Sequence, residues 1–471
     1  FLFSFDDFVG QSAFDHFSRQ MASIEVAGYA KQADIPSRIT FLEGYQAKCV
    51  EDLHIDQRWK KPRQDESMPA AIGMMANQRI FYLDTYEKMH GPHGLIAGAT
   101  GEGKSELLKT WILSMMINYS SEDVNFVFID YKGGGMASHF RGAPHVVGEI
   151  TNLTTGMDRA FEALRSENRR RMALFQQYQV PDNDISHYHE WYRAGKVTEV
   201  VPHLFVVVDE FKMLKQQNPE ATRQMVEIAT IGRALGVHLV LATQSPGEAI
   251  DESIQKNAQY RLCLRLQFAS ESRELIGTID ATSLRNKGRC YVNVKRTGTY
   301  EVFQSFYSGA PYDPKGAKQN EHTSKVSEVL MDGTRVALQS SSNLDQTHVP
   351  SECEAIVQEL IRVAKQMQLP ERPRLWLDEL PDQIALQDLM LSDYEKGKWD
   401  AHLPWLQVPI GLYDSPSTQS QGVLSIDFQR DGNLAIYGSV ASGKTNLIKT
   451  MMMSIGVHYD PKDVQIYGID C

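Results

Sequence analysis

The chain alternates between short apolar runs and longer amphipathic stretches, and this alternation predicts its elements. The short runs are rich in β-branched and aromatic residues, as in strands, whereas apolar residues between them recur every three to four positions, as in helices. Strands are predicted at 94–98, 124–130, 203–209 and 237–243, and helices at 103–119, 156–179 and 219–235. Strands separated by helices favour a mainly parallel sheet with helices on both faces, so the predicted fold class is α/β.

Part of this pattern occurs twice. Residues 95–130 align without a gap with residues 435–470 at an offset of 340, which pairs Lys104 with Lys444. A match of this length predicts tandem homologous modules rather than a coincidence. The predicted organisation is a helical lead-in and linker at 1–50, a complete module at 51–311, a linker at 312–345, and the start of a second module at 346–471, truncated before its acidic strand.

A glycine-rich segment follows the first predicted strand. GATGEGKS at 98–105 fits G-x-x-x-x-G-K-[ST] between a strand and a helix, the context of a phosphate-binding P-loop. Its glycines let backbone N–H groups face the phosphates, while Lys104 is predicted to reach the β- and γ-phosphates and Ser105 to bind Mg²⁺. An ordinary glycine-rich turn is the weaker alternative. The predicted ATP-binding residues are Gly98, Ala99, Thr100, Gly101, Glu102, Gly103, Lys104, Ser105 and Glu106.

Two carboxylates end the apolar run LFVVVDE at 204–210. We expect Asp209 to hold Mg²⁺ and Glu210 to act as the general base that polarises the attacking water. A core strand followed by a solvated acidic turn is the alternative. The next apolar run ends at Gln244, which is predicted to sense the γ-phosphate or to position the water, unless it is only a strand-end amide. ATP and Mg²⁺ are thus the predicted cofactors.

An arginine from a neighbouring subunit or module often completes such a site, because it neutralises charge that develops in the transition state. The candidates are Arg233, Arg265, Arg273 and Arg289. A surface or structural ion pair is the common role of an arginine, so it is the alternative for each of them. Arg273 is the preferred candidate.

The second module carries its own P-loop sequence, followed by the same helical pattern. Its residues are Gly438, Ser439, Val440, Ala441, Ser442, Gly443, Lys444 and Thr445. No counterpart of the acidic strand follows it in this chain, so we expect this loop to bind ATP poorly.

Composition and charge exclude several function classes. Lys and Arg number 48 against 59 Asp and Glu, a net charge of -11, which disfavours broad binding to DNA or to an acidic membrane surface. The five cysteines lie far apart, so neither a zinc site nor a disulfide framework is predicted. No apolar run approaches the roughly 20 residues of a membrane-spanning helix, so we expect any membrane anchor to lie outside this chain.

Four blocks of sequence together resemble the FtsK/SpoIIIE family of RecA-like motors. They are GPHGLIAGATGEGKSE at 91–106, FIDYKGGGMA at 128–137, VVVDEF at 206–211 and GRALGVHLVLATQSP at 232–246. Within that family, the tandem modules, the phrase HGPHGLIAG and ITNL at 150–153 most resemble the type VII secretion motors of the EssC and EccC group.

The resemblance implies a RecA-like P-loop ATPase at the cytoplasmic side of the bacterial cell membrane, anchored through segments outside this chain. It also implies a homohexamer that exports WXG100-type proteins together with other secretion-system components. Two alternatives stay open. A double-stranded DNA translocase is disfavoured because the chain is acidic and a second motor-like module, rather than a basic winged helix, follows the first. A low-turnover nucleotide-binding scaffold that docks substrates is the other.

Overall fold

The computed structural model describes residues 35–61, 67–130, 135–150, 156–249, 252–312, 327–329, 335–337, 349–377, 380–389, 405–415, 418 and 420–469. Three sequence predictions therefore fall wholly or largely outside the described residues. They concern the helical lead-in, most of the 312–345 linker, and parts of the FIDYKGGGMA and ITNL blocks, at 131–134 and 151–153.

The elements are numbered in chain order. The strands are β1 (Pro69–Met74), β2 (Ile80–Asp84), β3 (His93–Ala97), β4 (Val124–Asp130), β5 (Val146–Ile150), β6 (His203–Asp209), β7 (Val237–Thr243), β8 (Ala258–Cys263), β9 (Arg289–Val294), β10 (Thr299–Ser305), β11 (Ser327–Val329), β12 (Arg335–Ala337), β13 (Gln407–Ser415) and β14 (Ser420–Asp427). The α-helices are α1 (Phe41–Gly44), α2 (Ile55–Lys60), α3 (Lys104–Asn118), α4 (Gly156–Gln177), α5 (Ile185–Arg193), α6 (Phe211–Gln217), α7 (Pro219–Gly232), α8 (Pro246–Ala249), α9 (Glu252–Asn257), α10 (Ala269–Ile276), α11 (Glu352–Gln366), α12 (Phe428–Asp431) and α13 (Lys444–His458).

One ten-stranded sheet forms the centre of the first module, in the order β2-β1-β10-β9-β8-β3-β7-β6-β4-β5. The six strands from β8 to β5 pair in parallel, which confirms the predicted α/β class. The predicted strands agree with β3, β4, β6 and β7 to within one residue at each end. The remaining four strands add an antiparallel arm that the sequence patterns did not predict.

The helix that follows the first P-loop lies deep in this core. Twelve of the 15 residues of α3 are buried. Trp111 packs edge-on against Phe126 of β4 and Phe205 of β6, with ring centroids 5.9 and 5.3 Å apart. Because the helix is held on several sides, the loop at its start has a rigid base.

Helix α11 lies in the range predicted for the second module but packs on the first. It begins with a capping box in which Ser351 and Glu354 satisfy each other's backbone N–H groups. Its buried residues Cys353, Ile356 and Leu360 belong to the same apolar cluster as α3. The module boundary at 346 thus stays a prediction, and α11 packs into the apolar core of the first module.

Two smaller units follow the sheet. Strands β11 and β12 pair antiparallel within the range predicted as a linker, and β13 and β14 form a longer antiparallel pair. Asp414 of β13 forms an ion pair of 2.6 Å with Arg159 of α4. None of the described helices combines the length and the hydropathy that a membrane span requires.

Candidate nucleotide-binding site

The predicted site residues meet at the carboxyl edge of the parallel strands. Strands β4 and β6 pair in register, so that Asp130 lies beside Asp209. Strand β7 ends just before Gln244, and β3 ends just before the P-loop. Ligands of open α/β sheets bind outside this edge, because the loops that leave neighbouring strands diverge there.

The backbone of the P-loop requires glycine at two positions. Gly101 and Gly103 have φ angles of 81° and 101°, in the left-handed region that other residues rarely adopt. Helix α3 begins directly after Gly103, and no side chain among the described residues caps it. Its first-turn N–H groups and the positive end of its dipole are thus free to face an anion.

Lys104 lies against the two predicted catalytic carboxylates. Its ammonium contacts Asp209 Oδ1 and lies 3.2 Å from Glu210 Oε1. All three side chains are buried, with residue exposures of 4 to 5%. Buried carboxylates are costly without a cation, so the lysine compensates them here.

Glu210 has a strained backbone, with φ 57° and ψ 46° immediately after β6. A non-glycine residue in this left-handed region costs on the order of 1 to 3 kcal/mol. Its own N–H donates a hydrogen bond of 2.9 Å to Asp209 Oδ1, which fixes the turn. The chain leaves β6 at this turn and then enters α6, so the turn holds both carboxylates at the edge of the sheet.

Gln244 connects the P-loop to Glu210. Its Nε2 donates to Glu210 Oε1 at 2.5 Å, and its Oε1 accepts from Thr100 Oγ1 at 2.5 Å. Both ends of the amide are therefore hydrogen-bonded, and a role in sensing the γ-phosphate stays a prediction. This position is suited to detecting a group that separates Thr100 from Glu210.

The rest of the P-loop is tied to the strands beside it. The N–H of Gly98 donates to the Thr243 carbonyl at 3.3 Å, and the N–H of Ala99 donates to the Arg265 carbonyl at 2.9 Å. Ser105 is exposed at the mouth of the loop. Glu106 is half-buried and forms an ion pair with Lys109 one turn later on α3, so its carboxylate is paired apart from Asp209 and Glu210.

The four candidate arginines have different surroundings. Arg233 forms an ion pair with Glu87, and Arg289 donates to Gln304 and to two backbone carbonyls. Arg265 lies 3.8 Å from Glu102 of the P-loop. Arg273, in the last turn of α10, is exposed. Arg273 is therefore placed where a neighbouring molecule can reach it, whereas Arg233 and Arg289 have structural partners.

The second P-loop has the same local form in a different setting. Gly443 has a φ of 92°, and α13 begins at Lys444 as α3 begins at Lys104. Lys444 Nζ donates to the carbonyls of Gly438 and Ser439, at 2.6 and 2.7 Å. Within the described residues, no carboxylate contacts Lys444.

The polar groups at the first site fit Mg²⁺ and a nucleoside triphosphate. Mg²⁺ prefers hard oxygen ligands, and Ser105 and Asp209 offer a hydroxyl and a carboxylate. The glycine loop, the uncapped start of α3 and Lys104 offer N–H groups and a positive charge to phosphates. These residues together would hold both groups.

Sequence reasoning missed one contact of the P-loop. The N–H of Gly288 donates to the Glu102 carbonyl at 2.9 Å, which brings the 286–289 segment of the antiparallel arm onto the loop. A Cβ on Gly103 would lie 3.2 Å from Gly288 N. Gly103 and Gly288 lie close together in space, and the glycine at each position was the available signal in the sequence. No local pattern, however, connects two positions so far apart along the chain.

Comparison with known proteins gives consistent matches. The model of the FtsK/SpoIIIE family matches residues 55–248 and 391–471. The ESX secretion system protein EccC of Geobacillus thermodenitrificans is 37% identical over 440 residues, 93% of this chain. The type VII secretion system protein EssC of Staphylococcus aureus is 35% identical over 461 residues, 97% of the chain. This chain covers 29% and 31% of the length of these two relatives.

A solved structure has a similar fold. The cytoplasmic domain of the Thermomonospora curvata type VII secretion ATPase EccC superposes with a TM-score of 0.74 at 27% identity. The match covers 90% of this chain and 46% of that one. Its extent includes most of the described residues, so the similarity is not confined to the P-loop.

Proposed function

The chain belongs to the FtsK/SpoIIIE family of ATPases, and we propose that its first module is an ATP-hydrolysing motor of type VII protein secretion. One observation carries the proposal: the buried side chains of Lys104, Asp209 and Glu210 meet beside the P-loop, and the half-buried Gln244 donates a hydrogen bond to Glu210. We further propose that 51–311 acts as the complete module and that 346–471 belongs to the next one.

In the proposed reaction, Lys104 exchanges its carboxylate partners for the β- and γ-phosphates. Ser105 and Asp209 would hold Mg²⁺, which would supply positive charge beside the phosphates when bound. The carboxylates would then keep a cation beside them after the lysine has moved to the phosphates. Glu210 orients the attacking water and accepts its proton, and Gln244 fixes the carboxylate of Glu210.

The relatives support the wider role. Two relatives are secretion-system proteins, and one solved relative is the cytoplasmic domain of a type VII secretion ATPase. We propose that this module works at the cytoplasmic side of the membrane, anchored through segments outside this chain, as part of a homohexamer. WXG100-type proteins are the proposed cargo. Arg273 is the proposed arginine finger, supplied by a neighbouring subunit, because it is exposed on α10.

A low-turnover scaffold is the second candidate function. It is favoured by the contact of Lys104 with both carboxylates, which must be broken before the lysine binds phosphate. In that case nucleotide binding is retained, whereas hydrolysis stays slow even when copies of the chain are brought together.

Turnover measurements separate these functions. We expect ATP hydrolysis by the chain to rise when a WXG100-type protein is added, and Glu210→Gln to lower it about a hundredfold while ATP still binds. Glu220→Gln, an exposed change on α7, serves as the matched control and keeps full turnover. Stimulation by double-stranded DNA alone would contradict the secretion role. Absence of hydrolysis after enforced oligomerisation would favour the scaffold.

A further inference from the structure

A cavity of about 210 Å³ lies at the end of the sheet where the parallel strands begin, opposite the P-loop. Its lining includes Asp123, directly before β4, and His203, the first residue of β6. We infer that this cavity binds a small aromatic carboxylate. The nucleotide site lies at the other end of these strands, so the inference goes beyond the proposed function and does not depend on it.

Helix α5 and two segments far from it in the chain form the walls of the cavity. Trp59 lies near the end of α2, Tyr86 follows β2, and His189 lies on α5. Two contacts fix α5 in this position. Ser186 forms a hydrogen bond of 2.6 Å with the Tyr86 hydroxyl, and His189 Nε2 donates to the Val201 carbonyl at 2.7 Å. The walls are therefore held by the protein itself, which limits the ordering cost of binding a ligand.

The floor of the cavity is apolar and aromatic. Its buried residues, with exposures of 1 to 8%, are Trp59, Met68, Tyr86 and Val201. Trp59 uses its one side-chain N–H to donate to the Met116 carbonyl at 3.0 Å, so its indole needs no polar partner from a ligand. The cavity is smaller than ordinary ligand pockets and suits a single aromatic ring with a short side chain, which can pack edge-on or offset against the rings of the floor.

Two cations in the lining determine the charge of the ligand. Lys61 and Arg193 both line the cavity and are both exposed, so they lie at its mouth. Lys61 forms no ion pair with a described residue, and its charge is therefore available to a ligand. Lysine and arginine form charge-assisted hydrogen bonds with carboxylates, which are stronger than hydrogen bonds between neutral groups. A ring on the floor and a carboxylate at the mouth would thus each meet complementary groups.

The two acids in the lining have partners within the protein. Glu122 forms an ion pair of 3.1 Å with Arg372. Asp123 Oδ2 accepts hydrogen bonds from the N–H and the hydroxyl of Ser120, at 3.0 and 2.8 Å. Aromatic side chains beside unpaired acids would favour an organic cation. Because these acids are already compensated, whereas Lys61 is not, the cavity favours an anion.

The test measures the binding of three probes by calorimetry on the whole chain, with and without a saturating non-hydrolysable ATP analogue and Mg²⁺. Para-hydroxyphenylacetate combines the ring with a carboxylate, tyramine carries an amine on the same ring, and acetate lacks the ring. Para-hydroxyphenylacetate should bind about tenfold more tightly than the other two, with or without the analogue. Lys61→Gln should weaken its binding about fivefold. Lys60→Gln removes the same charge one residue earlier, outside the lining, and should leave the affinity unchanged.

Four results would overturn the inference. They are the absence of binding by para-hydroxyphenylacetate, binding of tyramine or acetate that is as tight, equal effects of Lys61→Gln and Lys60→Gln, and binding that is lost when the ATP analogue is present. The last result would place the probe at the P-loop. A chain that binds para-hydroxyphenylacetate but no ATP would contradict the proposed motor function and leave this inference intact.

Discussion

The two P-loops of this chain share their sequence pattern and local geometry but differ in what surrounds them. Helices α3 and α13 both have 15 residues and start after a glycine of positive φ. Twelve residues of α3 are buried, against Ser454 alone in α13. Lys104 contacts Asp209 and Glu210, whereas Lys444 turns back onto carbonyls of its own loop.

This difference separates the contribution of the loop from that of the sheet. The glycines and the helix start are local, so they form in both copies. The position of the lysine depends on the carboxylates at the end of β6, and no described residue supplies an equivalent to Lys444. A P-loop therefore creates an anion site by itself, whereas hydrolysis requires the neighbouring strands to place an acid and an amide against it.

The largest expected effect comes from removing each lysine in turn. Lys104→Ala should lower ATP turnover on the order of a thousandfold, because it removes a positive charge from the transferring phosphoryl group. Lys444→Ala should leave turnover within about twofold. Steady-state hydrolysis assays measure both. Equal losses in the two variants would show that the second loop also takes part in hydrolysis.

Matched substitutions in the two helices should differ almost as strongly in their effect on the stability of the protein. Leu108 is fully buried, and its counterpart Ile448 at the offset of 340 is 45% exposed. Leu108→Ala should lower the free energy of unfolding by about 2 to 5 kcal/mol, since it leaves a cavity in the core. Ile448→Ala should cost less than about 1 kcal/mol. Urea unfolding followed by tryptophan fluorescence gives both values, and comparable losses would contradict the difference in burial.

Gln244 tests what the neighbouring strand adds to the first loop. Gln244→Ala removes the contacts with Thr100 and Glu210, so turnover should fall about tenfold with little change in the free energy of unfolding. Gln217→Ala, at the exposed end of α6, is the control and should have no effect. If the Gln244 variant keeps the turnover of the parent chain, the side chain has only a structural role.

The smallest expected effect is a pH dependence of stability that comes from buried histidines, at the end of the sheet where the parallel strands begin. Burial lowers the pKa of His93 and of His145 to about 4, and that of His238 to about 3. Nearby positive charge adds to the shift for two of them: Arg233 acts on His93, and Arg171 on His238. Because these pKa values are depressed, the unfolded chain binds more protons below pH 6.5, and stability falls as the pH is lowered.

Between pH 7 and 5.5 the loss should be about 1 kcal/mol for each histidine. Unfolding measured across this range checks the slope. His238→Leu should make it shallower, whereas Val240→Ala, on the same strand, should lower stability without changing the slope. The same slope in His238→Leu and in the parent would show that His238 does not contribute.

Several parts of the site could be predicted from the sequence because they are local. Strands β4, β6 and β7 follow from continuous apolar runs, and the P-loop follows from its own glycines and lysine. Asp209 and Gln244 are expected at one edge because the carboxyl ends of parallel strands share an edge, whatever the order of the strands. The antiparallel arm could not be predicted in the same way, because it joins strands from both ends of the module.

The sequence by itself determined the α/β class, the internal repeat, the four predicted parallel strands and the start of each P-loop helix, since all of these depend on neighbours along the chain. Only the tertiary structure decided that Lys104 is held by Asp209 and Glu210, that Gln244 connects Thr100 to Glu210, and that α11 packs on the first module. These contacts join residues more than 30 positions apart. Their formation depends on how the strands are ordered in the sheet, and no local periodicity encodes that order.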